Sequence, residues 1–247
     1  MLLKPRWRKV LRDVLGNKTR TILVVLSIAV GVAAIGMVTG SHLVMSHDLP
    51  TGYAQINPMH GYLALSDFTE EVVQTVQRMP EVDAAEGRRE VRVQVQVGPD
   101  QWNNLTLVAI DDYNAMQVNK ALPISGSWPP PKRELLIERS SLSILNVQVG
   151  DTITIKLPEG RERQMRVAGQ IHDLTQISAQ FTGFANGYIT RDTLEWLGYS
   201  RNFSDLYLTV AEQRTNKEHI QQVVDVRCSS GWRRAATLFL VLCPGTR

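Results

Sequence analysis

The 21 residues from Thr21 to Ser41 carry no charged side chain, and this run limits everything else the chain can do. At about 1.5 Å per residue, a helix of that length reaches roughly 31 Å, enough to cross a hydrocarbon core about 30 Å thick. The flank before it is basic: Lys4, Arg6, Arg8, Lys9, Arg12, Lys18 and Arg20 stand against a single acid, Asp13. Positive flanks stay on the cytoplasmic side, so the expected N-terminus is inside and everything after His42 outside. A cleaved signal peptide is the competing reading. Signal h-regions usually span about 7 to 15 residues, which favours a retained anchor over residues 21–42.

With the span set aside, the remainder of the 247 residues suffices for one folded domain or two small ones. Seven of the chain's 27 Lys and Arg lie in the first 20 residues, against one of its 24 Asp and Glu. The rest of the chain is therefore slightly acidic, and nucleic-acid binding loses its main support. The basic block suits the anionic face of a bilayer. Both cysteines, Cys228 and Cys243, fall near the C-terminus, so the region from Asp48 to Arg227 can build neither a disulfide nor a thiolate metal site.

Before the span, Trp7, Val10, Leu11, Val14 and Leu15 recur at helical spacing, with Arg8, Lys9, Arg12 and Asp13 on the opposite arc. Residues 1–20 are expected to form an amphipathic basic helix at the cytoplasmic interface. Within the span, Ser27 and Gly31 are four apart, as are Gly36 and Gly40. Small residues at that spacing let a second helix approach closely.

After the span, Pro50, Gly52, Asn57-Pro58 and Gly61 predict a turn-rich connector over 43–60 that does not continue a helix beyond Leu49. Tyr62 to Leu65 reads as a strand. Asp67 and Glu70 form an expected capping box for a helix from Phe68 to Met79, stopped by Pro80. Val91, Val93, Val95 and Val97 alternate with polar residues, turn at Gly98-Pro99-Asp100, and pair with Leu105, Leu107 and Ala109 in a hairpin. Segment 120–185 has a different texture: strand Glu134 to Ile137, helix Arg139 to Leu145, then strands through Ile153 to Leu157 and Met165 to Gly169. It is expected as an inserted β-rich subdomain. The earlier pattern returns with strand Gly187 to Thr190, helix Arg191 to Leu197 and strand Leu206 to Val210, whose Tyr207 and Thr209 are expected to face outward. Thr215 and Glu218 form a second expected capping box. The fold class is α+β, with 61–119 and 186–227 forming one split lobe around the insert. The composition shifts again over 228–247, an atypical tail that reads as out of frame.

Catalytic and metal patterns are absent. The five histidines are scattered, and no HExxH, CxxC, EF-hand, GxSxG, P-loop or GxGxxG pattern occurs. His172-Asp173 is the one suggestive pair, but neighbours on a strand point to opposite faces, so it reads as a polar turn. No cofactor and no enzymatic activity are expected.

The residues resemble the first part of an FtsX/MacB/LolC-type ABC transporter permease. Leu11-Arg12-Asp13-Val14-Leu15-Gly16-Asn17-Lys18-Thr19-Arg20-Thr21, leading into Ile22 to Gly40, is similar to that family's approach to its first span. Gly126-Ser127-Trp128, Leu135-Leu136-Ile137-Glu138-Arg139, Val149-Gly150-Asp151-Thr152-Ile153 and Val167-Ala168-Gly169 follow in the order found in a MacB-like periplasmic core domain. The resemblance covers about residues 6–224. It implies a non-enzymatic inner-membrane subunit working with a cytoplasmic ABC ATPase and a second permease copy or homologue. It further implies a periplasmic adaptor or a lipid, lipoprotein or peptide substrate. The family carries three more spans beyond this domain, so the expected product is a truncated or frame-shifted permease. The alternative is a self-sufficient single-span binding or adaptor protein.

Overall fold

The computed structural model describes residues 18–43, 49–212, 214, 216, 218–220, 223 and 237–239. The helix expected from Trp7, Val10, Leu11, Val14 and Leu15 lies outside the described residues, as do both cysteines and most of the tail. The chain divides into two compact units, Met1–Thr51 and Gly52–Arg247.

In the first unit, α1 runs from Lys18 to Leu43, and none of its residues is buried. Its 26 residues make it the one helix among the described residues long and apolar enough to cross a membrane. A helix apolar on every side, with nothing packed on it, has no stable place in water.

A second helix, α2 (Leu49–Ile56), occupies part of the stretch expected to be turns only. Pro50 is compatible with it because it falls in the first turn, where backbone N–H groups have no helical acceptor. In the second unit, Ile56 is buried and the backbone around it binds the 119–120 segment through Asn119 N to Asn57 O and Lys120 N to Ile56 O.

The remaining elements are β1 (Gly61–Phe68), α3 (Glu70–Gln77), β2 (Val82–Gly98), β3 (Gln101–Ile110), β4 (Leu122–Gly126), β5 (Glu134–Glu138), α4 (Arg139–Leu145), β6 (Thr152–Lys156), β7 (Glu162–His172), α5 (Ala179–Thr182), β8 (Ala185–Thr190), α6 (Arg191–Trp196), β9 (Phe203–Val210) and β10 (Thr237–Phe239). The expected α+β class holds. The Val91 to Val97 alternation forms the outer half of β2, with Val91, Val93 and Val95 buried, Val97 half-buried and the even-numbered members exposed. The expected helix after β1 is shorter at both ends. Thr69 rather than Asp67 occupies the cap position, and Asp67 instead accepts from Arg89 Nη1 at 2.6 Å.

β2 is 17 residues long and belongs to two sheets. Its first half, from Val82 to Arg88, pairs with β9, which also pairs with β1. Its second half pairs with β3 and, at Gln94 and Val95, with β6. Following the pairings β2–β3–β8–β5–β7–β6 and back to β2 closes a ring of six strands. Closure satisfies the strand edges that an open sheet would leave unpaired. Segment 120–185 supplies β5, β6 and β7 to this ring, and the flanking chain supplies the other three. One core fills its interior: Val91, Val93 and Val95 pack with Leu105, Leu107, Leu135, Ile137, Ile153, Ile155, Met165 and Ile189. Each such side chain, once buried, contributes about 1.5–3 kcal/mol.

A separate core lies under α3, where Val73 packs with Leu63, Phe68, Phe203, Leu206 and Leu208. Tyr207 and Thr209, expected to face outward, are both buried. β9 is flanked by β1 and β2, and the 57–62 and 117–120 segments cover its second face, so Tyr207 packs with Ala84 and Val118.

Candidate functional site

Among the described residues no group of three or more His, Cys, Asp or Glu could hold a metal ion. The structure instead builds a line of charges along one strand. Glu86, Arg88, Glu90 and Arg92 alternate along β2, and alternate residues of a strand share a face.

Arg88 is the buried end of that line, at 2 % exposure. Its Nε donates to Glu86 Oε1 at 3.1 Å, and its Nη2 donates to the carbonyls of Val118 at 2.6 Å and Asn119 at 3.0 Å. Glu86 Oε2 in turn accepts from the N–H groups of Gln117 and Val118, each at 3.2 Å. Guanidinium and carboxylate thus hold opposite backbone poles of the 117–119 segment, as a planar fork and a two-lobed acceptor can. Burial opposes the Arg88 charge, but Glu86, followed by Tyr207, Asp173 and Tyr188, more than offsets it and keeps the guanidinium cationic. The Tyr207 ring lies 4.9 Å below it.

Three tyrosines extend the network. Tyr207 donates to Glu90 Oε1 at 3.1 Å, Tyr62 to Asp205 Oδ1 at 2.5 Å, and Tyr188 to Asp173 Oδ2 at 2.5 Å. Burial, reinforced by these carboxylates, pushes all three hydroxyls above the ordinary phenol range, so they act as donors. Glu90 is crowded enough that desolvation, then the neighbouring Asp205, pushes its carboxyl up, against the Tyr207 hydrogen bond and the charges of Arg88 and Arg92.

Where Glu90 and Arg92 emerge, the outer face of the strand ring forms the floor of a cleft of about 590 Å³. Asn104 and Thr106 from β3 and Asn186 from β8 continue the floor, and Gln176, Ile177 and Phe184 stand at its rim. The size is that of a small-molecule site.

His172 and Asp173 do not act together. His172 Nδ1 is 3.6 Å from Glu138 Oε1, whereas Asp173 turns inward to Tyr188 and also accepts from Thr175 N and Oγ1. His172 closes β7 and Asp173 follows it, so the pair stands at a strand end rather than in the expected polar turn, with Asp173 buried.

Neither Arg88 nor His60 belongs to any motif in the sequence. The His60 Nδ1 accepts from Val210 N at 3.1 Å, so the ring is neutral with its proton on Nε2. Burial, then the charge of Arg214, lowers its pKa, with Asp83 opposing. A pKa lowered in the folded state gives stability that is complete above the unfolded value near 6.5 and is lost as pH falls through the folded value. His60→Ala is therefore expected to lose about 1–3 kcal/mol at about pH 7.5 and a smaller amount at about pH 5. Urea melts at both pH values check this, and equal losses at the two would contradict the assignment.

In α1, Ser27, Gly31, Gly36 and Gly40 are exposed. A Cβ built on any of the three glycines touches nothing within 4 Å, and the Ser27 hydroxyl donates to Leu23 O of its own helix at 2.9 Å. At about 100° per residue, Ser27 and Gly31 lie on one side of the helix, and Gly36 and Gly40 lie about 180° away. One neighbouring helix can use one pair only.

The segments that carried the family resemblance occupy defined places. Gly126 is the last residue of β4, Leu135 to Glu138 is within β5, and Val167 to Gly169 lies in β7, where Val167 pairs with Leu135 of β5 and Gly169 pairs with both β4 and β5. No protein-family model matches this chain, and no curated protein matches it. Among solved structures, the chain is similar to the extracellular domain of the noncanonic ABC-type transporter YknZ from Gram-positive bacteria, at 12% identity and a TM-score of 0.46, over 67% of this chain and 88% of that one. It is likewise similar to the periplasmic region of MacB from Actinobacillus actinomycetemcomitans, at 10% identity and a TM-score of 0.46, over 73% of this chain and 87% of that one.

Proposed function

We propose that this chain is a permease subunit of the FtsX/MacB/LolC type, anchored by α1 with its N-terminus in the cytoplasm and its second unit outside. The observation that carries the reading is α1 itself: 26 residues, none buried, preceded in the sequence by a strongly basic flank. Trp7, Val10, Leu11, Val14 and Leu15 would lie along the inner interface. One small-residue pair, Ser27/Gly31 or Gly36/Gly40, would face a second permease copy or homologue. Such a subunit performs no chemistry itself, and a separate cytoplasmic ATPase drives it.

A reporter fused after Glu212 should be active outside the cytoplasm, and the full chain should co-purify with an ABC ATPase in detergent. Cytoplasmic activity of the reporter would overturn the topology. A second reading, a single-span binding protein, is favoured by the self-contained cores of the second unit. It predicts an external reporter with no co-purifying ATPase.

A further inference from the structure

The outer segment holds a feature that membrane anchoring does not use. From Leu174 to Thr190 the sequence has no Asp, Glu, Lys, Arg or His. Within it Ile177, Phe181 and Phe184 are 69 %, 87 % and 55 % exposed. Three large apolar side chains so near one another on a folded surface are costly in water unless something covers them. Ile177 and Phe184 line the 590 Å³ cleft whose floor carries Glu90 and Arg92.

The floor constrains what the cover can be. The Glu90 carboxylate receives one side-chain hydrogen bond, from Tyr207, and the Arg92 side chain has no hydrogen-bond or ion-pair partner among the described residues. Two residues apart on one strand, the carboxylate and guanidinium leave backbones about 6.7 Å apart. A purely anionic ligand would meet Glu90 and a purely cationic one would meet Arg92. A peptide added as a strand needs a run of free sheet edge, but on β2 that run is only Arg89 to Val93, between the pairing with β9 that ends at Arg88 and the pairing with β6 at Gln94, and the Glu90 N–H within it already donates to Ser204 Oγ. We propose that the cleft binds a single-chain zwitterionic amphiphile, its ammonium on Glu90, its anionic group on Arg92, and its apolar chain on Ile177, Phe184 and Phe181. Asn104, Thr106 and Asn186 offer further hydrogen bonds to the head group. The inference goes beyond the permease reading and needs neither an ATPase nor a particular topology.

The test uses the full chain in nanodiscs of phosphatidylglycerol, with a diazirine-bearing lysophosphatidylethanolamine as probe and mass spectrometry to locate the cross-links. Labelling is expected within residues 174–186, and soluble glycerophosphoethanolamine in excess should suppress it while glycerophosphoglycerol does not. Joint Glu90→Gln and Arg92→Gln substitution should lower the yield about tenfold, the loss expected for charge-assisted contacts. Phe184→Ser should lower it too. Equal labelling by a lysophosphatidylglycerol probe, or suppression by both head groups alike, would overturn the proposal. So would cross-links joining two protein chains through 174–186 in place of lipid adducts, which would make the patch a contact between copies. The head-group competition is read on the unaltered chain, so it stands even where a variant folds poorly.

Discussion

Arg88→Met is expected to destabilise the second unit by about 3–5 kcal/mol, because the substitution strands a largely buried Glu86 and two carbonyl acceptors at once. Methionine fills much the same volume, so the loss measures the missing charge and donors rather than a cavity. Arg88→Lys should recover only part of the loss. An ammonium cannot place donors simultaneously on Glu86 Oε1 and on both carbonyls with the geometry of a guanidinium. Urea unfolding of the full chain in detergent, followed by tyrosine fluorescence or circular dichroism, reads both values. A change under about 1 kcal/mol for Arg88→Met would mean that the 117–119 segment is held by other contacts. Opening of that segment should also appear as faster exchange of the Gln117 and Val118 amides, whose acceptor is Glu86 Oε2.

Gly126→Ala is the second large effect, at about 3 kcal/mol. Gly126 has φ +88, where an L side chain is disfavoured by roughly 1–2 kcal/mol. An added Cβ would also stand 2.3 Å from Ala168 O and 2.4 Å from the Gly169 Cα, both rigid backbone atoms of the paired strand β7. Relieving that overlap costs typically another 1–3 kcal/mol. Gly150→Ala is the matched control: its φ is +103, but nothing lies within 4 Å of the added Cβ. It should lose only the conformational part, about 1 kcal/mol. Equal destabilisation by the two substitutions would show that the close approach of β4 to β7 is not what demands glycine at 126.

Local pattern and tertiary contact divide the fold between them along physical lines. The β2–β3 hairpin was readable because valines at every second position, ended by Gly98-Pro99-Asp100, report a strand with one dry face without reference to the rest of the chain. The helix from Arg139 to Leu145 appears where expected, its first turn capped by the Glu138 carboxylate on Ser140 N. The first half of β2 was not readable. Val82 to Arg88 has the sequence Val-Asp-Ala-Ala-Glu-Gly-Arg, with no apolar alternation, and it is a strand because β9 pairs with it. Gly87 marks the reason in part: a Cβ there would meet the Phe203 ring at 2.6 Å, so that aromatic needs the space.

The same division holds for the candidate site. Glu90 and Arg92 look in the sequence like solvated residues on the wet face of a strand. They gain meaning only because Asn186 and the segment from Thr175 to Phe184, some ninety residues later, return to stand over them. Asp67 satisfied the local rule for a helix cap, yet the chain stays extended through Phe68 and the carboxylate serves Arg89 instead.

What the sequence determined by itself is therefore the apolar helix over residues 21–42, the α+β class, and the elements whose own periodicity declares a buried face. These follow from composition and spacing within a few turns of chain. The closure of six strands into a ring, the burial of both faces of β9, and the charge of Arg88 held on a distant backbone were decided by tertiary structure. Each requires partners that only long-range pairing brings within hydrogen-bond reach.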